Sequence, residues 1–200
     1  EKSRVVHQVD GDRNYHIFYS LLAGVTDDAE REKLGLGPID DFHYLNQTST
    51  RTVERIDDAG EWQACQNAFD AFGFSDYEKE AVSRMLAAVL HIGNIKFQFN
   101  EEMKRMEPTD KDIIKRVATL LGLAHPQILE IVLTTRKMTS GGRGSTYSIS
   151  NSAEEVVDFR DALAKDIYER LFDWLVKKIN KTLLTGDSDK YGFIGVLDIF

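Results

Sequence analysis

Apolar residues recur at spacings of three and four along most of the chain, which is the spacing of amphipathic helices. Glycines or capping residues lie at the ends of several of the periodic stretches, as expected where helices begin and end. The pattern predicts helices within segments 10–24, 26–37, 61–73, 75–93, 108–122, 125–133 and 150–186.

Capping signals refine where the helices begin. The spacing of a serine and a glutamate three residues apart predicts capping boxes at Ser75 with Glu78 and at Ser152 with Glu155. Asp12 is the predicted N-cap of the first helix. Each of these residues offers an oxygen to backbone N–H groups that the first helical turn leaves unpaired.

The last predicted helix is the longest and dominates the expected fold. About 30 residues at 1.5 Å each span roughly 45 Å, enough to cross a domain of this size. Its apolar stripe comprises Val156, Phe159, Leu163, Ile167, Leu171, Trp174, Leu175 and Ile179. Segment 95–99 alternates apolar and polar residues and predicts a short strand. The apolar run 192–200 is typical of a buried strand, with the acid Asp198 near its end. The expected fold class is mainly α, a helical unit organised around one long helix.

Composition limits the classes of function. At 200 residues, the chain is expected to form a single domain, 1–200. A net charge of −8 disfavours nucleic acid as the main partner, and no apolar run approaches the ~20 residues of a membrane span. Cys65 is the only cysteine, so it is expected to pack in a helix face rather than to form an internal disulfide.

Candidate catalytic chemistry is sparse. The sequence contains no nucleophile elbow, no catalytic Cys/His signature and no G-x-x-x-x-G-K-[ST] phosphate loop. The glycines at 141–144 do not replace that loop, because they lack its lysine. The histidines are not spaced as a helical metal pair, so no metal site is predicted among His7, His16, His43, His91 and His125.

Several long motifs resemble the myosin motor head. The segment RDALAKDIYERLFDWLVKKIN is similar to the long helix of that family. EKSRVVHQ, RNYHIFYSLLAG, DFHYLNQ and LAAVLHIGNIKF resemble further motor-head segments in the family's order. The resemblance covers essentially the whole chain and corresponds to the upper fifty-kilodalton subdomain. It implies short strands at both termini, EKSRVV and GFIGVLDIF, that belong to the central sheet of a P-loop-type motor domain.

The resemblance also gives Asp198 a role. VLDIF is similar to the start of the family's switch II, which implies that Asp198 holds magnesium-bound water near the γ-phosphate of ATP. Without the family resemblance, Asp198 also fits an incidental acid at the end of a strand. Switch I is expected just before Glu1, and the phosphate loop is absent, so these 200 residues alone are expected to bind no ATP or magnesium. The resemblance implies that ATP and magnesium bind to the intact motor. It also implies that the remainder of the motor head is a partner of this segment.

Two loops correspond to the family's actin contacts. Segment 134–152 has cations and no acid, and by composition it also fits an ordinary solvated hairpin. The implied actin-binding residues in it are Arg136, Lys137, Gly141, Gly142, Arg143, Ser145 and Tyr147. Segment 99–111 has mixed charge, and its Lys104 and Arg105 are weaker candidates.

Ser145 is the expected phosphorylation site for a regulatory kinase. It lies sixteen residues before Asp161, where the family's pattern calls for an acid or a phosphorylatable hydroxyl. A plain loop serine, and Thr146 next to it, are the alternatives. The function implied is part of a cytoplasmic, actin-based, ATP-driven motor that couples switch II to actin-contacting loops, with no membrane contact from this segment. A non-catalytic actin-binding helical module and a self-contained hydrolase remain as other readings, the latter disfavoured by the missing phosphate loop.

Overall fold

A computed structural model describes residues 2–139 and 146–183. Within them the chain forms seven α-helices, two β-hairpins and two short 3-10 helices, at Lys2–Val5 and Ile39–Asp41. The helices are α1 (His16–Gly24), α2 (Asp28–Leu34), α3 (Asp58–Ala71), α4 (Asp76–Gly93), α5 (Lys111–Leu120), α6 (Pro126–Thr134) and α7 (Ala153–Leu183). The strands are β1 (Phe97–Asn100), β2 (Arg105–Pro108), β3 (Thr135–Thr139) and β4 (Thr146–Ser150). The predicted mainly helical class is confirmed.

The amino-terminal segment was wrongly predicted as a strand. The amides of Val6 and His7 both donate to the carbonyl of Ser3, which closes a 3-10 turn. The Arg4 guanidinium also donates to the carbonyl of Arg13 at 3.3 Å, which holds the turn against the approach to α1. The other predicted terminal strand, 192–200, lies outside the described residues. The described strands form only two-stranded antiparallel sheets, so the central sheet of a P-loop-type domain stays a prediction.

The capping boxes are confirmed, and the Asp12 N-cap is wrong. Ser75 accepts from the Glu78 amide at 3.3 Å, and Glu78 accepts from the Ser75 amide at 2.8 Å. The corresponding distances between Ser152 and Glu155 are 3.2 and 2.8 Å. Helix α1 begins only at His16, and Asp12 instead accepts from Arg4 at 3.4 Å.

The core is built around α4, whose second half is almost completely buried between α1, α5 and α7. Where α4 ends, Gly93 lies directly against the buried ring of Tyr44. A Cβ at Gly93 would come within 2.7 Å of that ring, so no larger residue fits without a shift. This close approach brings the segment after α2 onto the end of α4.

The 31 residues of α7 confirm the long helix and most of its predicted apolar stripe. Val156 is buried, and five further stripe residues pack against the core: Leu163, Ile167, Leu171, Leu175 and Ile179. The prediction was wrong for Phe159 and Trp174, which are 39% and 37% exposed. Arg160 and Ala164, which the stripe omitted, are buried as well.

Candidate functional site

The β3–β4 hairpin carries the described part of the predicted actin-binding segment. Arg136 and Lys137 lie on β3, where they pair in register with Ile149 and Ser148 of β4. Tyr147 lies on β4 opposite Met138. The remaining predicted residues of this segment, Gly141, Gly142, Arg143 and Ser145, lie outside the described residues.

An ion pair ties this hairpin to the start of α7. The Arg136 guanidinium pairs with the carboxylate of Glu155, and both side chains are partly exposed. Glu155 is also the capping-box acid of α7, so one carboxylate serves the helix start and the hairpin together. The pair offsets one of the cations of the expected positive patch. Within 2–139 and 146–183, no ion-pair partner is found for Lys137.

Asn151 adds a second connection between the hairpin and the helices. This buried residue donates its backbone amide to the carbonyl of Thr134 at 2.9 Å and its side-chain amide to the carbonyl of Leu133 at 3.0 Å. The end of α6 and the start of α7 are thereby fixed together at the base of the hairpin. Neither connection has a signal in the sequence, because each joins residues that are 17 or more positions apart.

The β1–β2 hairpin carries Lys104 and Arg105, and both have acidic partners. Lys104 pairs with Glu101 at 2.9 Å, and Arg105 lies 3.8 Å from Glu130 of α6. Lys111 also pairs with Glu130, at 2.9 Å. This hairpin therefore has little uncompensated positive charge, in keeping with its weaker standing as an actin-binding candidate.

A buried polar network fixes the amino-terminal third of α7. Arg160 contacts the Asp161 carboxylate through Nε and Nη2, both at 2.8 Å, and donates through Nη1 to the carbonyl of Ile95 at 3.2 Å. The hydroxyl of Tyr44 donates to the same Asp161 oxygen at 2.7 Å. Burial and this contact with Asp161 raise the pKa of Tyr44 well above its usual value, so it remains a hydrogen-bond donor. An arginine within an apolar stripe was the only sequence signal for this network.

Another ion pair holds the carboxyl half of α7. Lys178 contacts Glu78 at 2.5 Å and lies over the ring of Phe74, 4.9 Å from its centre. The hydrogen bond from Lys178 lowers the pKa of Glu78 to about 2, with a further contribution from the Ser75 amide. Glu78 therefore caps α4 and also binds α7, just as Glu155 caps α7 and also binds the β3–β4 hairpin.

Other candidate chemistry remains structural. In the part of the chain that the structure describes, no three His, Cys, Asp or Glu side chains come together as metal ligands. Burial lowers the pKa of His91, whose ring lies 3.0 Å from the carbonyl oxygen of Leu34. Burial also raises the pKa of the Cys65 thiol, which confirms that Cys65 packs in a helix face. None of the described helices is long and apolar enough to span a bilayer. Asp198 lies outside the described residues.

The fold and its hairpins define a helical unit built on one long helix, and comparison with known proteins identifies its family. The family model of the myosin head, the motor domain, matches residues 1–200. The chain therefore belongs to the myosin head family.

Known relatives match the chain along its whole length. Myosin-1 of Arabidopsis thaliana is 40% identical over 200 residues, and Myosin-I heavy chain of Dictyostelium discoideum is 40% identical over 203. Myosin heavy chain IB of Acanthamoeba castellanii is 39% identical over 208 residues. The matches cover 100% of this chain but only 17%, 8% and 17% of those proteins, respectively.

Proposed function

We propose that residues 1–200 form a single domain, the upper fifty-kilodalton subdomain of a cytoplasmic actin-based motor. In the intact protein this unit couples a site for ATP and magnesium to loops that contact the actin filament. Membership of the myosin head family supports the motor itself. The observation that carries the coupling is the attachment of the β3–β4 hairpin to the start of α7 through Arg136 and Glu155.

Asp198 is the residue of this chain that is proposed to belong to the nucleotide site. An acid at the end of a buried strand in a nucleotide-binding motor holds magnesium-bound water close to the γ-phosphate. Asp198 follows α7 in the sequence. The phosphate-binding loop comes from the remainder of the motor head.

The proposed actin-binding segment is the β3–β4 hairpin together with residues 140–145 of the sequence between its strands. Arg136, Lys137 and Tyr147 lie on the strands, and the segment between them supplies the proposed residues Gly141, Gly142, Arg143 and Ser145. Positive charge suits an acidic filament surface because it speeds encounter and fixes orientation. Lys104 and Arg105 contribute less, since acids of this chain already neutralise them.

Ser145 is the proposed site for a regulatory kinase. Ser145 directly precedes Thr146 in the chain, and Thr146 pairs with Thr139 on β3. A phosphate there would add about −1.5 to −2 charges at pH 7 and could bind Arg143 or a basic spot on the filament. The spacing of sixteen residues before Asp161 supports this assignment.

The coupling is tested by breaking the ion pair in the full-length motor. Glu155→Gln keeps an oxygen for the Ser152 amide but removes the charge that binds Arg136. A partly exposed pair of this kind is worth about 0.5–1 kcal/mol, so we expect actin activation to fall roughly two- to five-fold. The measurement is the ratio of actin-activated to basal magnesium-ATPase.

Glu154→Gln is the matched control, because it removes the same charge one residue away on an exposed side chain. Equal ratios for the two variants would refute the coupling. A full-length protein that binds actin but has no magnesium-dependent ATPase would instead favour the non-catalytic actin-binding module.

A further inference from the structure

A cavity of about 500 Å³ lies where the carboxyl half of α7 passes the turn after α3. On the α7 side it is lined by Trp174, Lys177, Lys178, Lys181 and Thr182. Gly73 belongs to the opposite wall, with a φ of +68° and open space where a Cβ would be. The cavity has room for a ligand, since small-molecule pockets typically measure about 300–1,000 Å³.

The charge of this cavity is one-sided. Among the described residues, three lysine side chains line it and no acidic residue does, although the chain as a whole carries a net charge of −8. Lys178 is balanced by Glu78 across the helix pair. Throughout the described ranges, neither Lys177 nor Lys181 has an ion-pair partner. These two lysines are four residues apart on one helix, where like charges destabilise it by about 0.2–0.5 kcal/mol.

Helix stability alone does not account for the three lysines. Cations favour the carboxyl end of a helix, but the effect decays within the last turn. Helix α7 ends at Leu183, so only Lys181 lies in that turn. Lys177 and Lys178 lie a turn earlier, and Asp173, four residues before Lys177, forms no ion pair with it within the described ranges.

An aromatic side chain, Trp174, adds a flat apolar surface to the cavity. Trp174 is 37% exposed, and its ring meets Phe74 edge-on at 5.7 Å between ring centres. The indole therefore forms one side of the cavity and is packed against Phe74. Thr182 also lines the cavity, and its hydroxyl donates to the carbonyls of Lys178 at 3.2 Å and Phe72 at 3.4 Å.

We propose that this lysine cavity binds a phosphate-bearing anion. Ammonium groups recognise phosphate as point charges, and Lys177 and Lys181, which have no ion-pair partner within the described ranges, favour a ligand with several phosphates. The same chemistry is available from a free polyphosphate or from the headgroup of a phosphorylated inositol lipid. The proposal is independent of the motor's nucleotide site, because it uses only α7 and the turn after α3.

The test is lysine labelling of the full-length protein by an acetylating reagent, read by mass spectrometry. ADP and magnesium are present at saturation, so that the proposed nucleotide site is already occupied. Inositol hexakisphosphate is the soluble probe, and sulfate at equal ionic strength is the salt control. Vesicles of phosphatidylcholine, with and without phosphatidylinositol 4,5-bisphosphate, test the lipid source. We expect a phosphate probe to slow labelling of Lys177 and Lys181 but not of Lys115.

Binding of the soluble probe is then measured by calorimetry. Lys177→Gln with Lys181→Gln should weaken it at least roughly tenfold, because two charge-assisted contacts are lost. Lys33→Gln with Lys115→Gln is the control that removes two exposed lysines elsewhere.

If inositol hexakisphosphate protects Lys177 and Lys181 from labelling, the site exists and accepts a free polyphosphate. If only the inositol-lipid vesicles protect them, the site exists and its ligand is a lipid headgroup. Protection by neither, protection by sulfate to the same extent, or equal weakening in both double variants would overturn the proposal.

Discussion

The clearest stability prediction concerns Asp161, which shares one oxygen between Arg160 and Tyr44. Asp161→Asn preserves the shape of the side chain and an acceptor for Tyr44, but it leaves the Arg160 guanidinium without its counter-ion. The Arg160 side chain is only 9% exposed, so water cannot replace the lost partner. The variant should therefore be strongly destabilised.

The magnitude follows from the burial of the pair. Removing one member of a buried ion pair costs about 3–5 kcal/mol. Asp161 is 24% exposed and the amide oxygen still accepts hydrogen bonds, so the lower end, about 3 kcal/mol, applies. With a urea dependence of about 2 kcal/mol per molar, the unfolding midpoint should fall by about 1.5 M. Tyr44→Phe loses one hydrogen bond, about 1 kcal/mol, and should shift the midpoint by about 0.5 M.

The assay is urea unfolding followed by far-ultraviolet circular dichroism. Asp158→Asn is the matched control, because Asp158 is an exposed acid three residues earlier on α7 and should change stability by less than about 0.5 kcal/mol. If Asp161→Asn shifts the midpoint no further than Tyr44→Phe does, Arg160 does not depend on this carboxylate and the reasoning fails.

Four further predictions concern acid stability and the motor cycle. The folded protein lowers the pKa of Glu78 from the ordinary 4.5 to about 2. The stability that this group contributes is therefore present above pH 4.5 and is lost as the pH falls towards 2. In Glu78→Gln, unfolding curves measured between these pH values should show a smaller loss of stability. In the full-length motor, Asp198→Asn should reduce magnesium-ATP turnover with little change in helical content, and wild-type turnover would remove Asp198 from the site. Ser145→Glu should keep actin-activated ATPase and Ser145→Ala should lose most of it where the kinase is active, so equal activation would contradict the regulatory role. The 200-residue chain alone should show no saturable, magnesium-dependent ATP hydrolysis.

Local signals predicted the helices well because each depends on neighbouring residues. The capping boxes at Ser75 and Ser152 were readable because the serine and glutamate lie within one turn. The Asp12 N-cap failed because a tertiary contact with Arg4 uses that carboxylate instead. The EKSRVV strand failed for a related reason, since the 3-10 turn at Ser3 satisfies local backbone groups that a sheet would otherwise pair.

The candidate site was harder to predict, because its contacts join distant parts of the chain. Residue charge located the positive segment around Arg136, but only the fold brings Glu155 to it. The predicted stripe included Phe159 and omitted Arg160, since apolar periodicity does not identify a buried arginine whose partners come from Tyr44 and Ile95.

The attachments of α7 differ in exposure, and the difference bears on how the helix could transmit a signal. The contacts of Arg160 near the amino end of α7 are buried, and apolar side chains from Leu163 to Ile179 pack against the core, whereas the Arg136–Glu155 and Glu78–Lys178 pairs are partly exposed. Exposed pairs are worth about 1 kcal/mol or less, so either can break while the apolar packing keeps the helix in place. Under the proposed coupling, we therefore expect weakening of the Arg136–Glu155 pair to reduce actin activation, whereas disruption of the buried contacts of Arg160 should lower stability first.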